Sequence, residues 1–243
     1  MVGTTDQDKH YHPFAIMLTM NEREEDFEFL FNTLKRNVKE VCQFDYNPYC
    51  LVADNAQAIS NGCKRVFDIS HRVNCWFHVN KAILAELKSI SAPVKDKTNH
   101  ILYKSIKQVI TSDIVKFQHL VETYCFEEVY ALMIIKWQEK WENDAKVTSF
   151  IDYFDQWGGE SMRNWYDHFV DFMPITNNAL ESRNGKLKDT GTFRTQLPLA
   201  EFVQLACEGF IHEWSIERRP TLQVLNNKEE LETVEHRGQV KFI

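Results

Sequence analysis

The strongest constraint on the fold is a change of hydrophobic patterning near residue 78. Upstream, short apolar runs with strand character alternate with amphipathic segments, in the order strand, strand, helix, strand, helix, strand. Downstream, to about residue 172, the apolar pattern has helical spacing throughout. Alternating strands and helices favour layered α/β folds, so the sequence predicts an α/β core that is interrupted by a large helical segment.

The amino-terminal residues predict a hairpin and a helix. Residues 2–20 predict a β-hairpin, with a polar turn near 6–9 and a β-friendly run at 14–19. Asn21, followed three residues later by Glu24, resembles a capping box and predicts that a helix begins there. One apolar face follows at helical spacing, formed by Phe27, Leu30, Phe31, Leu34 and Val38.

Two more strands are predicted further along the chain, and the first of them is buried. The apolar run 49–53 ends at Asp54 and is followed by an amphipathic helix that begins near Ala56. Residues 72–77 predict the next strand, which leads into the sequence Cys-Trp-Phe-His. Ligands of open α/β sheets gather beyond the carboxyl ends of strands, so Asp54 is a candidate site residue.

The helical region contains many aromatic side chains, for which we favour the core of a helix bundle over stacking on nucleic-acid bases. These residues are Phe117, Tyr124, Trp141, Phe150, Tyr153, Phe154, Trp157 and Trp165.

Proline residues at 174 and 198 open two later helices, to about residues 188 and 218. The predicted segments are a partial core over 1–78, a helical insertion over 79–172, helices that complete the core over 173–220, and a polar tail over 221–243.

Charge and composition exclude several classes of protein. The chain has 28 Lys and Arg against 35 Asp and Glu, a formal charge of −7, which argues against binding nucleic acid through bulk positive charge. No apolar run reaches 18 residues and no secretory pattern opens the chain, so we expect neither a membrane nor a secreted protein. The six scattered cysteines indicate reduced thiols, as in nuclear or cytoplasmic proteins.

Two carboxylates are candidates for chemistry. Asp54 follows a buried strand, where it either reaches a metal or substrate or caps the next helix. Glu181 shares one predicted helical face with Asn177, Asn184 and Lys188, and this polar stripe faces either a site or water.

Two further groups have a specific and a general interpretation. Cys75 and His78 have the spacing of half a zinc site, but no second Cys/His pair has structural-zinc spacing, which favours local hydrogen bonding by His78. The basic residues after Glu181 either contact phosphate or form a solvated helix end. They are Arg183, Lys186, Lys188 and Arg194.

Three segments together carry a family resemblance: LVADNAQAISNGCKRVF, NCWFHVNKAI and TNNALESRNGKLK. With the opening segment TTDQDKHYHPFAIMLTMNEREEDFEFLFNTLK, they resemble the Mutator-like (MULE) DDE transposase domain over roughly residues 1–190. The resemblance implies an RNase H-like mixed sheet flanked by helices, with a large all-helical insertion before the final acidic helix. It also implies three acids that hold two divalent cations, Mg²⁺ or Mn²⁺, for cutting and joining DNA strands.

Motif matching assigns the family's second acid to Asp54 and the third to Glu181. Further matches, without a defined role, are Cys75, His78, Asn178 and Asn184. In the family the first acid lies on a strand that would precede the first residue, so we expect an N-terminally truncated domain. Two carboxylates hold two mutually repelling cations poorly, so we expect impaired catalysis, and the status of the chain as an enzyme stays open at this point.

Two functional hypotheses follow from the resemblance. The first is a fragment of a transposase catalytic domain, which would act on transposon ends and target DNA. The second is a domesticated, non-catalytic module that binds DNA or a protein partner. Without the preceding strand, residues 2–5 would expose a sheet edge, which predicts self-association and poor solubility.

Overall fold

The contacts of the chain divide it into two units. The computed structural model describes residues 1–5, 11–90, 97–120, 123–142, 144–158, 162–170, 173–192 and 195–217. The first unit comprises Met1–Cys50, Asn61–Ile69 and the described residues from Asn178 onward, and the second comprises Leu51–Ser60 and Ser70–Asn177. The predicted tail at 221–243 lies outside the described residues. The predicted domain boundaries stay a prediction.

Strands and helices both form, which confirms the predicted α/β class at this level. Strand β1 (Val2–Thr5) pairs antiparallel with β2 (Tyr11–Ala15), and β3 (Cys50–Ala53) pairs with β4 (His71–Asn74). Among the described residues these pairings make two two-stranded sheets. An RNase H-like sheet therefore stays a prediction.

The second strand of the hairpin lies earlier than the sequence predicted. Strand β2 ends at Ala15, so the predicted run 14–19 contributes only its first two residues. The register gives the reason, because Val2, the first residue of β1, already pairs with Ala15. The predicted turn at 6–9 lies outside the described residues.

The first helix, α1, spans Glu24–Cys42 and begins after Arg23, so the predicted start at Asn21 is wrong. The Asp26 carboxylate accepts a hydrogen bond from the Arg23 main-chain N–H at 3.0 Å. Asn21 instead belongs to a local turn, in which its main-chain N–H donates to Thr19 Oγ1 at 3.2 Å. The capping interaction is thus displaced by two residues.

The remaining helices follow in chain order. They are α2 (Gln57–Val66), α3 (Trp76–Ile90), α4 (Lys97–Gln118), α5 (Phe126–Lys140), α6 (Ala145–Gly158), α7 (Asn178–Lys186), α8 (Leu199–Gln204) and α9 (His212–Glu217). A 3₁₀ turn at Thr123–Cys125 precedes α5, and π-helical segments at Leu187–Gly191 and Leu205–Ile211 follow α7 and α8. The helix predicted from Pro174 therefore begins later, at Asn178.

The core of the first unit uses the predicted face of α1. The buried residues of this helix are Leu30, Phe31 and Leu34. Phe67 contacts the ring of Phe31 at a centroid distance of 5.9 Å and that of Tyr46 at 5.4 Å. Burial raises the pKa of the Tyr46 phenol well above its ordinary value, with a smaller contribution from Cys63. Tyr46 is therefore an uncharged core residue at neutral pH.

Gly62 allows α2 to approach α1 closely within the first unit. A Cβ at this position would lie 2.8 Å from both the Glu24 carbonyl oxygen and the Glu28 main-chain nitrogen. We expect Gly62→Ala to lower the free energy of unfolding by about 1–2 kcal/mol, because overpacking outweighs the better helix propensity of alanine. Urea unfolding measures this change. The control is Gly185→Ala, since nothing lies within 4 Å of a Cβ there. An equal loss in both variants would contradict the packing argument.

The core of the second unit is built by α3 to α6 and the segment after them. Trp137, Phe154 and Trp165 are fully buried in it. Most of the predicted core aromatics are therefore confirmed, whereas Tyr124 is 79% exposed. None of the described helices has both the length and the hydropathy of a membrane-spanning segment.

Asp113 ties α4 to α5. Its carboxylate accepts hydrogen bonds from Lys136 Nζ at 2.7 Å and from Trp137 Nε1 at 3.0 Å. Burial raises the pKa of Asp113, but these hydrogen bonds and the charges of Lys136 and Lys116 outweigh burial, so the pKa lies below its ordinary value. Asp113 thus stays ionised, and its carboxylate contacts α5.

Candidate functional site

Asp54 lies directly after β3, as predicted. The strand is buried over its whole length and Asp54 itself is half-buried. Its Oδ1 atom accepts a hydrogen bond from the Ala56 main-chain N–H at 2.9 Å, just before α2 begins. The helix-capping interpretation thus applies to Oδ1, while Oδ2 provides further acceptor capacity for a ligand.

Arg72 holds the main chain on which Asp54 sits, and sequence reasoning missed this role. Its guanidinium donates to Ser60 Oγ at 3.0 Å and to the Ala53 carbonyl oxygen at 3.3 Å. It also donates to the carbonyl oxygens of Val73 and Asp54. A planar group with five donors suits such a cluster of acceptors. An arginine inside a predicted strand was the signal that could have revealed it.

The C-x-x-H motif lies across a strand–helix junction. Strand β4 ends at Asn74 and α3 begins at Trp76, so the predicted strand 72–77 is wrong in its second half. The reason is that the Cys75 carbonyl oxygen accepts hydrogen bonds from the main-chain N–H groups of His78 at 3.0 Å and Val79 at 3.1 Å. These are helical hydrogen bonds, so the chain turns into α3 at this point.

The Cys75 thiol joins this motif to the one that precedes α7. Cys75 Sγ donates to Asn177 Oδ1 at 2.9 Å and accepts from the Asn177 main-chain N–H at 3.4 Å. Both residues are buried, and the Trp76 main-chain N–H donates to the Ile175 carbonyl oxygen at 2.8 Å. Asn177 therefore precedes α7 and is buried. The prediction that it shares one helical face with Glu181 is wrong, because α7 begins only at Asn178.

His78 lies in the first turn of α3 and is half-buried. Its ring meets that of Phe77 edge to face, at a centroid distance of 5.4 Å. Its buried Nδ1 atom has no hydrogen-bond partner among the described residues. The local hydrogen bonding predicted for His78 is thus made by its main chain and not by Nδ1.

Glu181 lies on α7 in the first unit. It is exposed and sits in the first turn, where the helix dipole favours a negative charge. Asn178 is the first residue of the helix and is exposed, and Asn184 is half-buried. The role of third acid that motif matching assigns to Glu181 stays a prediction, and Asn178 and Asn184 stay motif matches without a defined role.

The predicted DNA-contacting residues lie in different surroundings. The Arg183 guanidinium lies over the ring of the buried Trp214, 5.8 Å from its centroid, so it packs against the core of the first unit. Lys186 and Lys188 are exposed. Arg194 lies outside the described residues. Contact of these residues with DNA stays a prediction.

No cluster of metal-binding side chains forms among the described residues. Within them, no three His, Cys, Asp or Glu side chains converge as a metal-binding group. Two divalent cations require several carboxylates, since they repel each other. The assignment of Asp54 and Glu181 as catalytic acids and metal ligands therefore stays a prediction.

The comparison with protein families agrees with the resemblance in the amino-terminal part. The family model of the MULE transposase domain matches residues 1–82. No curated protein and no solved structure gives a match. The matched segment includes Asp54, Cys75 and His78, whereas the motif around Glu181 lies beyond it. Residues 1–82 of this chain are therefore similar to the MULE transposase domain.

Proposed function

We propose that this chain is part of the catalytic domain of a Mutator-like transposase and that its own strand cleavage is impaired. A transposase-related function, and with it an interaction with DNA in general, rests directly on the MULE match. The complete enzyme would cleave and transfer DNA strands with Mg²⁺ or Mn²⁺. Its substrates would be transposon ends and target DNA, in the nucleus or the cytoplasm.

The observation that carries this proposal is the position of Asp54 within the matched segment. A buried strand ends at this carboxylate, and the Arg72 guanidinium holds the main chain on both sides of it. Ligands bind beyond the carboxyl ends of strands in α/β folds. The number of carboxylate ligands supports impaired cleavage. Motif matching assigns two acids, Asp54 and Glu181, whereas a two-metal centre needs more than two carboxylates.

A second candidate function is a domesticated, non-catalytic module that binds DNA or a protein partner. The exposed Lys186 and Lys188 favour it, because ammonium groups bind phosphate without a metal. Self-association through the edge of the amino-terminal hairpin belongs to either candidate and is measured by the oligomeric state in solution.

The test combines DNA binding with DNA cleavage by the purified full chain. Anisotropy of a labelled duplex is measured from 50 to 300 mM salt, with EDTA, Mg²⁺ or Mn²⁺ present, and nicking of a supercoiled plasmid is measured in parallel. The variants are Asp54→Asn, Glu181→Gln and the double variant. We expect binding that weakens with salt, and plasmid nicking no faster than that of the double variant.

Each outcome separates the candidates. Metal-dependent nicking that is lost in both single variants, at unchanged melting temperature, contradicts the impairment and supports an active transposase. Binding that needs metal and Glu181 supports the catalytic-domain proposal, whereas binding that persists in EDTA and in both variants supports the non-catalytic module. Absence of DNA binding under every condition contradicts a DNA-related function.

A further inference from the structure

The helices of the second unit carry their charges unevenly. Helices α3 and α4 contain six lysines and two acids, whereas α5 and α6 contain three lysines and five acids. The basic excess is greatest in α4, which has four lysines and one acid. A chain with a net charge of −7 therefore concentrates positive charge on one pair of neighbouring helices.

The single acid of α4 does not offset the outward charge of this helix. The Asp113 side chain is 11% exposed and pairs with Lys136 of α5. In the part of the chain that the structure describes, Lys104 Nζ and Lys107 Nζ have no ion pair and no hydrogen bond. The attraction of these two ammonium groups for an anion is thus not reduced by a neighbouring carboxylate.

The free ammonium groups lie on one side of α4. His100, Lys104, Lys107 and Thr111 are spaced i, i+4, i+7 and i+11, which places them in one stripe along the helix. We call these four residues the α4 basic stripe. Other positions of the same helix, Ile106, Ile110 and Ile114, are buried in the core of the unit. His100 and Lys104 are exposed, and Lys107 and Thr111 are half-buried.

The dimensions of the stripe suit a phosphate backbone. Eleven residues of α-helix rise about 16 Å, and the phosphates of one strand of B-DNA are spaced about 3.4 Å along the duplex axis. Lysine ammonium groups, imidazole and hydroxyl groups all donate hydrogen bonds to phosphate oxygens. The stripe has no arginine, asparagine or glutamine, the side chains that most often read base edges, so it fits backbone contact and not sequence reading.

On the basis of the DNA-related function proposed above, we propose that the α4 basic stripe contacts the phosphate backbone of duplex DNA. The stripe lies outside the segment that matches the MULE domain, and its residues are different from Lys186 and Lys188. It is a positioning surface, which holds DNA independently of sequence and takes no part in bond cleavage. Its contribution depends on salt, because each lysine that neutralises a phosphate releases bound counterions.

The test compares two charge-matched double variants of the full chain. Lys104→Gln/Lys107→Gln removes two charges from the stripe, and Lys39→Gln/Lys64→Gln removes two exposed charges from the first unit. The probe is a labelled 30-base-pair duplex of arbitrary sequence, titrated from 50 to 300 mM salt. We expect the stripe variant to bind at least about tenfold more weakly at 100 mM salt, and its salt slope to fall by about 1.8, or 0.9 per lost phosphate contact. The control variant should keep the slope of the parent chain.

The outcomes distinguish this inference from the function on which it rests. If the parent chain binds no duplex, the result contradicts both the DNA-related function and the proposed role of the α4 basic stripe. If the parent chain binds the duplex and both double variants have the same affinity and salt slope, the DNA-related function is retained. The proposed contact of the α4 basic stripe with DNA is then contradicted. Equal competition by a single-stranded RNA or by heparin would overturn duplex DNA as the occupant. Matching melting temperatures of the variants show that a loss of binding is not a loss of folding.

Discussion

Trp165→Ala is expected to lower the free energy of unfolding by about 3–5 kcal/mol, since truncation of a fully buried tryptophan leaves a large cavity. Trp165 is 0% exposed and stacks on Trp76, with ring centroids 5.3 Å apart and planes at 16°. Its Nε1–H donates to the Trp157 carbonyl oxygen at 2.9 Å, so the substitution also leaves a buried acceptor unpaired. Urea unfolding, monitored by far-UV circular dichroism, measures the change.

The matched control is Tyr124→Ala, because Tyr124 belongs to the same helical region and is 79% exposed. We expect it to change stability by less than about 0.5 kcal/mol. The pair also separates the two interpretations of these aromatic residues. Loss of DNA binding in Trp165→Ala, with stability close to that of the parent chain, would contradict the core assignment and favour stacking on bases.

Asn177→Ala is expected to lower the free energy of unfolding by about 1–3 kcal/mol and to expose the Cys75 thiol to labelling. The side chain of Asn177 is the acceptor of the Cys75 thiol, and Asn177 is 4% exposed. Its removal leaves Cys75 Sγ without this acceptor and opens space beside it. Denaturant unfolding and the rate of reaction with a thiol reagent measure the two effects.

Asn178→Ala is the matched control for the Cys75–Asn177 hydrogen bond, since this neighbouring asparagine is exposed. We expect it to leave stability within about 0.5 kcal/mol of the parent chain and thiol labelling unchanged. The double variant Cys75→Ala/Asn177→Ala should cost less than the sum of the two single changes, because neither partner is then left alone. Strict additivity would show that the two side chains do not interact in solution.

Local patterning sufficed to predict those elements whose residues interact with their own neighbours in the chain. The buried strand before Asp54, the amphipathic α2 and the apolar face of α1 follow from the period and polarity of short windows. The same reasoning placed Asp54 at the carboxyl end of a buried strand, which the structure confirms.

Boundaries were less predictable than the elements themselves. The sequence at residues 72–77 has strand character, yet the strand ends at Asn74, where helical hydrogen bonds to the Cys75 carbonyl oxygen begin. The capping interaction of α1 was predicted at Asn21 but is made by Arg23 and Asp26. Several polar residues at each boundary can satisfy the same free main-chain groups, and sequence alone does not rank them.

The sequence by itself determined the order of strands and helices, the apolar faces, and the similarity of residues 1–82 to the MULE transposase domain. These features reside in short stretches of chain, where periodicity and motif spacing carry the information. Only the tertiary structure decided which polar groups meet. Cys75 and Asn177 are 102 positions apart, and the Arg72 guanidinium donates to the Ala53 carbonyl oxygen of another strand. Such pairs form because segments that are distant in the sequence pack closely together. The periodicity of a short stretch of sequence does not predict them.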